Sequence, residues 1–273
     1  MISDDRRAGP VSFNAVDTSA DPGGLIRFLD AANTTAGLTA AKHALLEQLD
    51  LGRARAALDV GCGPGIDVAE MARLMPEGAH VSGVDISETM IAEARRRTDS
   101  LGPRVSLRTG DAADLPYSDQ AFDACRAATV LQHVPDPARV IQEMARVTRP
   151  GGRVGVLEFD QETAFVDHPD SETTRIILDT FASTMIQGRI GRQIARLLRA
   201  AGLTEVTVMP GVNLGSPQFF RAILHDHVAR LADESVLTSQ RACQWWAELD
   251  AWAQAGDFLG GAVVFAVAAR RPR

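Results

Sequence analysis

Three glycines at alternate positions, Gly61, Gly63 and Gly65, follow the apolar run Ala57-Leu58-Asp59-Val60 and precede the helically spaced segment Ile66-Asp67-Val68-Ala69-Glu70-Met71-Ala72. The pattern reads as strand, tight turn, helix. Glycine allows the backbone to approach a ligand closely because no Cβ intervenes. The first turn of the following helix offers unpaired N–H groups. The chemistry is therefore ligand capture. A dinucleotide site needs G-x-G-x-x-G, and here Ile66 stands where the third glycine of that pattern would fall. Asp85 closes the next apolar run, Val81-Ser82-Gly83-Val84-Asp85. A carboxylate there can accept from both hydroxyls of a ribose. A glycine loop followed about 20 residues on by a strand-end acid is a stronger nucleotide-type signal than the loop alone.

The elements that must hold these residues follow in regular alternation. Strands are expected over 55–60, 79–84, 104–109, 121–127 and 153–159, and helices over 66–75, 87–100 and 137–148. Ser87 is placed to cap the second of these helices, and Pro76 with Gly78 ends the first. Such alternation predicts right-handed βαβ units and a parallel sheet covered on both faces. Ligands in such sheets bind beyond the carboxyl ends of the strands, where strand order reverses. Two helices precede the first strand, one from Asp21-Pro22 and one over 39–49, and these are candidates for a cover. Residues 1–20 are polar and expected to be loose unless they fold over a ligand. After Asp160 the pattern changes: helices over 170–187, 189–201, 216–232 and 238–254 interrupt strands over 203–209 and 263–268. Helices inserted between late strands suit a substrate lid.

The segments LDVGCGPG, VSGVDISETMIAEAR, GDAADLPYSDQAFDACRA and LQHVPDPARVIQEMARVTRPGG, which lie between Ala57 and Asp160, resemble a class I S-adenosylmethionine-dependent methyltransferase of the group related to the ubiquinone and menaquinone C-methyltransferases. The resemblance implies an α/β fold, a doubly wound seven-stranded and mostly parallel sheet whose last strand is antiparallel, with helical lid insertions. It implies S-adenosylmethionine as cofactor. By it, Gly61, Gly63 and Gly65 would hold the methionine part, with Asp59 behind the loop. Asp85 would take the ribose, Ile86 and Met90 would flank the adenine, and Asp111 and Ala112 would meet its amino edge. Arg126 and Ala127, at the end of the fourth strand, would lie near the methionyl end. The loop Leu131-Gln132-His133 would border the methyl group. One structural domain is expected: cap helices in 1–52, a cofactor-binding core in 53–160, and the remaining strands with the lid in 161–273.

Methyl transfer from a sulfonium asks the protein mainly to align two reactants in a dry pocket. A base is needed only when the acceptor carries a proton to be lost. His133, Glu158 and Asp160 are the candidates for that base or for orienting the substrate, with His168 behind them. Glu158 and Asp160, two apart on a strand, point to one face. Phe165, Phe181, Met185, Phe219, Phe220, Trp245 and Trp246 could line an apolar pocket or pack the lid. His225 and His227 sit at i and i+2 of a helix and cannot chelate from one face, so a solvated surface is expected there and no metal.

Composition bounds the rest. Over 273 residues the chain carries a net charge of −7, which argues against bulk nucleic-acid affinity. Its three cysteines form no CxxC pair and fit a reducing cytoplasm. No apolar run reaches membrane-spanning length, and the chain shows no secretory h-region. A small-molecule substrate is the expected partner, and a homo-oligomer is compatible with the sequence. The competing readings are a cofactor-binding cyclase or regulator on the same fold, and a nicotinamide dehydrogenase, which Ile66 disfavours.

Overall fold

A computed structural model describes residues 13–273, so the expectation for residues 1–20 falls partly outside it. Phe13–Thr18 form a short 3-10 turn. Helix α1 (Pro22–Ala32) begins where the sequence placed it: the Asp21 side chain accepts from the Gly24 N–H, and Pro22 occupies the first turn. Helix α2 (Ala36–Gln48) starts three residues before the expected Thr39, directly after extended Thr35.

The alternation then runs β1 (Ala56–Val60), α3 (Ile66–Leu74), β2 (His80–Asp85), α4 (Glu88–Thr98), β3 (Val105–Thr109), β4 (Phe122–Ala128), α5 (Pro137–Val147) and β5 (Thr148–Val166). Ser87 caps α4 by accepting from the Met90 N–H. Helices α6 (Ser171–Thr184) and α7 (Ile194–Ala200), strand β6 (Thr204–Leu214), helices α8 (Pro217–Asp233) and α9 (Ser239–Ala255), and strand β7 (Gly260–Arg270) complete the chain. Several bounds differ from expectation: β5, expected over 153–159, runs from Thr148 to Val166, and the helix expected over 170–187 ends at Thr184. The helix expected over 189–201 is helical only from Ile194, after a 3-10 turn at Gly191–Gln193. Strands β6 and β7 extend past their apolar runs because they pair with each other along their length, with Gly211 and Gly261 inside that ladder and Gly260 paired with Val166 of β5.

The seven strands lie in the order β3-β2-β1-β4-β5-β7-β6. Pairs from β3 through β5 are parallel, and β7 is antiparallel to both β5 and β6. The last strand in sequence is thus internal, between β5 and β6. Strand order reverses at β1 and β4, whose pairing runs Ala57 with Ala124 through Val60 with Ala127. That is the edge at which a ligand crevice opens.

Both faces of the sheet are covered. Leu58, Val60, Cys125 and Val156 pack with α5 residues Val140, Ile141 and Met144. Ala57, Val81 and Ala124 pack on the other face with Val68, Met71 and Ala72 of α3. This two-sided burial explains why the central strands read as nearly unbroken apolar runs. A separate core joins α6, α8 and α9 around Phe181, Leu224, Val228 and Trp245. That helical group sits over the carboxyl edge of the sheet through Val166 and Phe220.

Candidate active site

A cavity of about 660 Å³ opens at the strand switch and continues beneath the lid helices. Its floor is the glycine loop. Gly61 and Gly63 line it with positive φ of 66° and 50°. A Cβ on Gly61 would meet the Val130 side chain at 2.3 Å, so only glycine lets β1 and the segment after β4 close on each other. Gly65 is not in the lining: it starts α3 at φ 84°, where a Cβ would meet Ala94.

Asp85 lines the cavity beside that loop. Its Oδ2 accepts from the Gly63 N–H at 2.8 Å and its Oδ1 from the Ser87 N–H at 2.9 Å. Burial raises its carboxyl above the ordinary range, and these two N–H groups pull the other way. Ile86 is 60% exposed next to it, while Met90 is buried and also in the lining. Asp111 and Ala112 line the same end. Asp111 Oδ1 accepts from the Ala113 N–H at 2.8 Å, so it shapes its own turn as well.

Arg126 and Ala127 are elsewhere. Ala127 is fully buried in the sheet core. Arg126, 1% exposed, extends behind the glycine loop and contacts Asp67 at 2.9 Å and Asp59 at 3.3 Å. Lys42 completes the cluster, donating to Asp67 at 2.7 Å and to Asn33. Burial pushes Asp59 up, with Arg126 opposing it. Burial would raise Asp67 too, but Arg126 and Lys42 hold it below the ordinary carboxylate range. Burial lowers the Lys42 ammonium against the attraction of Asp67. The residues that do face the cavity here are Ala128, the last of β4, and Thr129 just after it. Thr129 has φ 57°, a rare conformation for a β-branched residue and one found where a site dictates the backbone.

Glu158 and Asp160 point to one face of β5, as their spacing requires, but it is the face away from the cavity. The lining residues are their neighbours Phe159 and Gln161. Asp160, fully buried, is a bidentate partner of Arg192. Glu158, also fully buried, accepts through Oε1 from the Val130 N–H at 2.7 Å and the Leu131 N–H at 2.5 Å. It therefore holds the loop that carries His133. Neither acid reaches a ligand as base or orienting group, which corrects the sequence expectation. Burial pushes the Glu158 carboxyl up to about 8, against backbone N–H donors that lower it. The folded chain then keeps a proton that the unfolded chain releases above about pH 4.5. Stability from this group is complete below that value and is lost as pH rises through about 8. The melting temperature should drop between about pH 5.5 and pH 8.5, and Glu158→Gln should flatten that drop. An equal drop in the variant would show that another group titrates there.

His133 does reach the cavity. Its ring packs edge-on against Phe13 at 5.4 Å and makes no hydrogen bond among the described residues. Burial lowers the imidazole to about 4, so it is neutral at ordinary pH. Beside it, Gln161 Nε2 donates to Gln132 Oε1 at 3.2 Å. Gln161 is presented by the irregularity in β5 between Asp160 and Phe165, held by Thr163, which donates to Asp160 O and accepts from Val263 N. Bulges next to sites re-aim side chains in this way.

The apolar end is lined by Phe28, Leu178, Phe181, Met185, Phe219, Phe220, Ile223 and Leu224. Phe165, Trp245 and Trp246 are outside it. Trp245 is a lid core residue whose Nε1 donates to Thr174, and Trp246 packs under Arg221. His168 is buried against Trp245. His227 is not on a solvated surface: it is 2% exposed and bonds Thr180 at 2.9 Å, joining α8 to α6.

Sequence reasoning missed Lys42, Asn33, Thr129, Gln132 as a polar contact, and Gln161. For Lys42 a signal exists: it is the only lysine among 28 basic residues. The others carry no local signature, because the fold brings them together from separate elements.

Residues 57–152 match the model of a methyltransferase domain. The chain is 37% identical over 119 residues to a demethylmenaquinone methyltransferase of Halalkalibacterium halodurans, covering 43% of this chain and 49% of that protein. It is 36% identical over 156 residues to methyltransferase GfsG of Streptomyces halstedii, covering 56% and 51%. It thus spans about half the length of these curated relatives. Among solved structures it is similar to the [4+2]-cyclase SpnF, at 26% identity and TM-score 0.53 over 86% of this chain and 82% of that one. Residues 57–152, with the glycine loop and the switch between β1 and β4, are thus similar to a methyltransferase domain and to the demethylmenaquinone methyltransferases.

Proposed function

We propose that this chain transfers a methyl group from S-adenosylmethionine to a small, partly apolar acceptor. The observation that carries the reading is one continuous cavity joining Gly61, Gly63 and Asp85 to the apolar side chains of α6 and α8. Its polar end suits the cofactor. Gly61 and Gly63 give the close backbone approach that a methionyl chain needs, with Lys42 and Asn33 facing the same end to meet its carboxylate. Asp85 keeps free lone pairs for a ribose diol, Ile86 and Met90 offer apolar surface to a flat base, and Asp111 with Ala112 meets its edge. S-adenosylmethionine, when bound, supplies a methyl group already activated by a sulfonium. The protein's own part is to align the acceptor, exclude water and remove a proton where the acceptor carries one. We assign that proton to His133, which is neutral and has no hydrogen-bond partner among the described residues.

In this reading the described helices before residue 52 form a cap, 53–160 the cofactor core, and the helices after 161 the lid. The free Cys62, Cys125 and Cys243 fit a cytoplasmic setting. The net charge of −7 fits a chain without nucleic-acid partners. Among the described residues no helix is long and apolar enough to cross a membrane.

The test is calorimetry with S-adenosylhomocysteine alongside turnover on a panel of hydroxylated aromatic acceptors. The parent should bind and turn over. Asp85→Ala should bind about 10²–10⁴-fold more weakly, from losing two hydrogen bonds to a charged group at about 1.5–3 kcal/mol each. Unchanged affinity in Asp85→Ala would remove the ribose assignment. Binding without turnover on any acceptor would favour the second reading, a cyclase or regulator, which the likeness to the SpnF cyclase keeps open.

A further inference from the structure

The 3-10 turn Leu131–His133 leaves main-chain donors over at its start. Its own bonds run from His133 N to Val130 O and from Val134 N to Leu131 O, which uses carbonyls but not the Val130 and Leu131 N–H groups. One side-chain oxygen takes both, Glu158 Oε1, from a strand 27 and 28 residues further along the chain. The other oxygen, Oε2, is buried and has no hydrogen-bond partner among the described residues. No cation opposes the burial of this carboxyl, only main-chain N–H groups. An acid buried in this way is costly, and an apolar side chain would avoid the cost. What the acid supplies is an accepting oxygen at a fixed reach from β5.

The turn so held touches both ends of the cavity. The Val130 side chain stands against Gly61, 2.3 Å from where a Cβ would be. His133 lines the other side and packs on Phe13. Thr129, at φ 57°, leads into the turn with its N–H donating to Leu157 O at 2.8 Å, and the Gln187 N–H donates to Gln132 O at 3.2 Å. The segment is therefore pinned to β5 on one side and to the chain after α6 on the other. A misplacement of about 1 Å between reacting groups can cost on the order of 10²-fold in rate.

We propose that Glu158 is a positioning residue for methyl transfer, setting by the length of its side chain how far the His133 imidazole stands from the glycine loop. The reach of one accepting oxygen is the requirement, and the charge of the acid is not. The effect on turnover rests on the methyl-transfer reading of the cavity; the placement of His133 does not.

Three variants separate reach from charge. Glu158→Gln keeps the length and an accepting oxygen and cannot ionise. Glu158→Asp keeps the acid and withdraws it by one methylene. Glu158→Met keeps the volume and removes the acceptor. Each is compared with the parent at pH 7, where burial keeps the parent's carboxyl protonated. The measurements are kcat, calorimetric affinity for S-adenosylhomocysteine, and the NMR titration of the His133 ring, assigned by its loss in His133→Phe. Glu158→Gln should keep kcat within about threefold and leave the ring unmoved. Glu158→Asp and Glu158→Met should lower kcat roughly 100-fold with cofactor affinity within about threefold of the parent. In both, the imidazole should titrate above its buried value of about 4, moving toward the ordinary value of about 6.5.

The proposal is overturned if Glu158→Gln loses as much as Glu158→Asp, if Glu158→Asp and Glu158→Met keep the parent's ring titration, or if kcat falls while the ring stays unmoved. Loss of S-adenosylhomocysteine binding in both of those variants would also overturn it, making Glu158 a residue of the fold alone. Expected ring shifts with no turnover by the parent on any acceptor would instead sink the methyl-transfer reading and leave Glu158 as the residue that places His133.

Discussion

An Arg126→Met protein is expected to melt on the order of 10 °C below the parent. Arg126 is the centre of a buried cluster in which Asp59 and Asp67 each contact its guanidinium. Methionine fills a similar volume but leaves Asp59 with no cation in contact and Asp67 with Lys42 alone. Breaking a buried pair by removing one partner costs about 3–5 kcal/mol, because the remaining charge is desolvated without compensation. In a chain of this size each kcal/mol moves the midpoint by roughly 2–4 °C. Adding Asp59→Asn should restore much of the loss, since a neutral amide needs no counter-charge. A midpoint unchanged in the single variant would show that the cluster does not hold the loop. The same substitution should weaken cofactor binding, because Asp59 precedes Gly61 by two residues and Asp67 opens the helix after the loop.

The second large effect concerns turnover. His133→Ala should lower kcat by about 10²–10⁴-fold, the usual contribution of a positioned general base. Affinity for S-adenosylhomocysteine should not move, since the imidazole stands clear of the glycine loop's hydrogen bonds. The pH profile separates a base from mere packing. Burial holds this imidazole at about 4, so the acid limb of kcat/KM should fall near that pH and not near the ordinary histidine value of about 6.5. His133→Phe would keep the edge contact with Phe13 and still lose the base. Full activity in His133→Phe would reduce the residue to a packing role.

Much of the cavity's polar end was legible because it is local. Gly61, Gly63, Asp85, Ile86 and Met90 come from two consecutive strand–turn–helix units, and their spacing alone puts them at one sheet edge. The apolar end was legible only in part: Phe181, Met185, Phe219 and Phe220 were named and line it, whereas Phe28, Leu178 and Gln161 come from separate elements that share no sequence pattern. Arg126 shows the limit most clearly. Its position at the end of a strand was read correctly, yet which side of the sheet it served depended on Asp67 and Lys42, distant in sequence. Glu158 and Asp160 were put on one face by the two-residue period, and the same period could not say which face. The tertiary partners decide it: Asp160 meets Arg192 beside Gly191, which packs on the main chain of Phe159, and Glu158 takes the Val130 and Leu131 N–H groups.

The solitary lysine has a practical consequence. Apart from it, every basic side chain is an arginine, so acylating reagents find the chain's one side-chain amine within the cavity, where it is 12% exposed. Coupling through that amine to a resin or a dye would erase the charge facing Asp67 and obstruct the polar end of the cavity. Immobilisation chemistry for this protein therefore belongs on the exposed thiol of Cys243 in α9, since the glycine loop's own cysteine, Cys62, is buried.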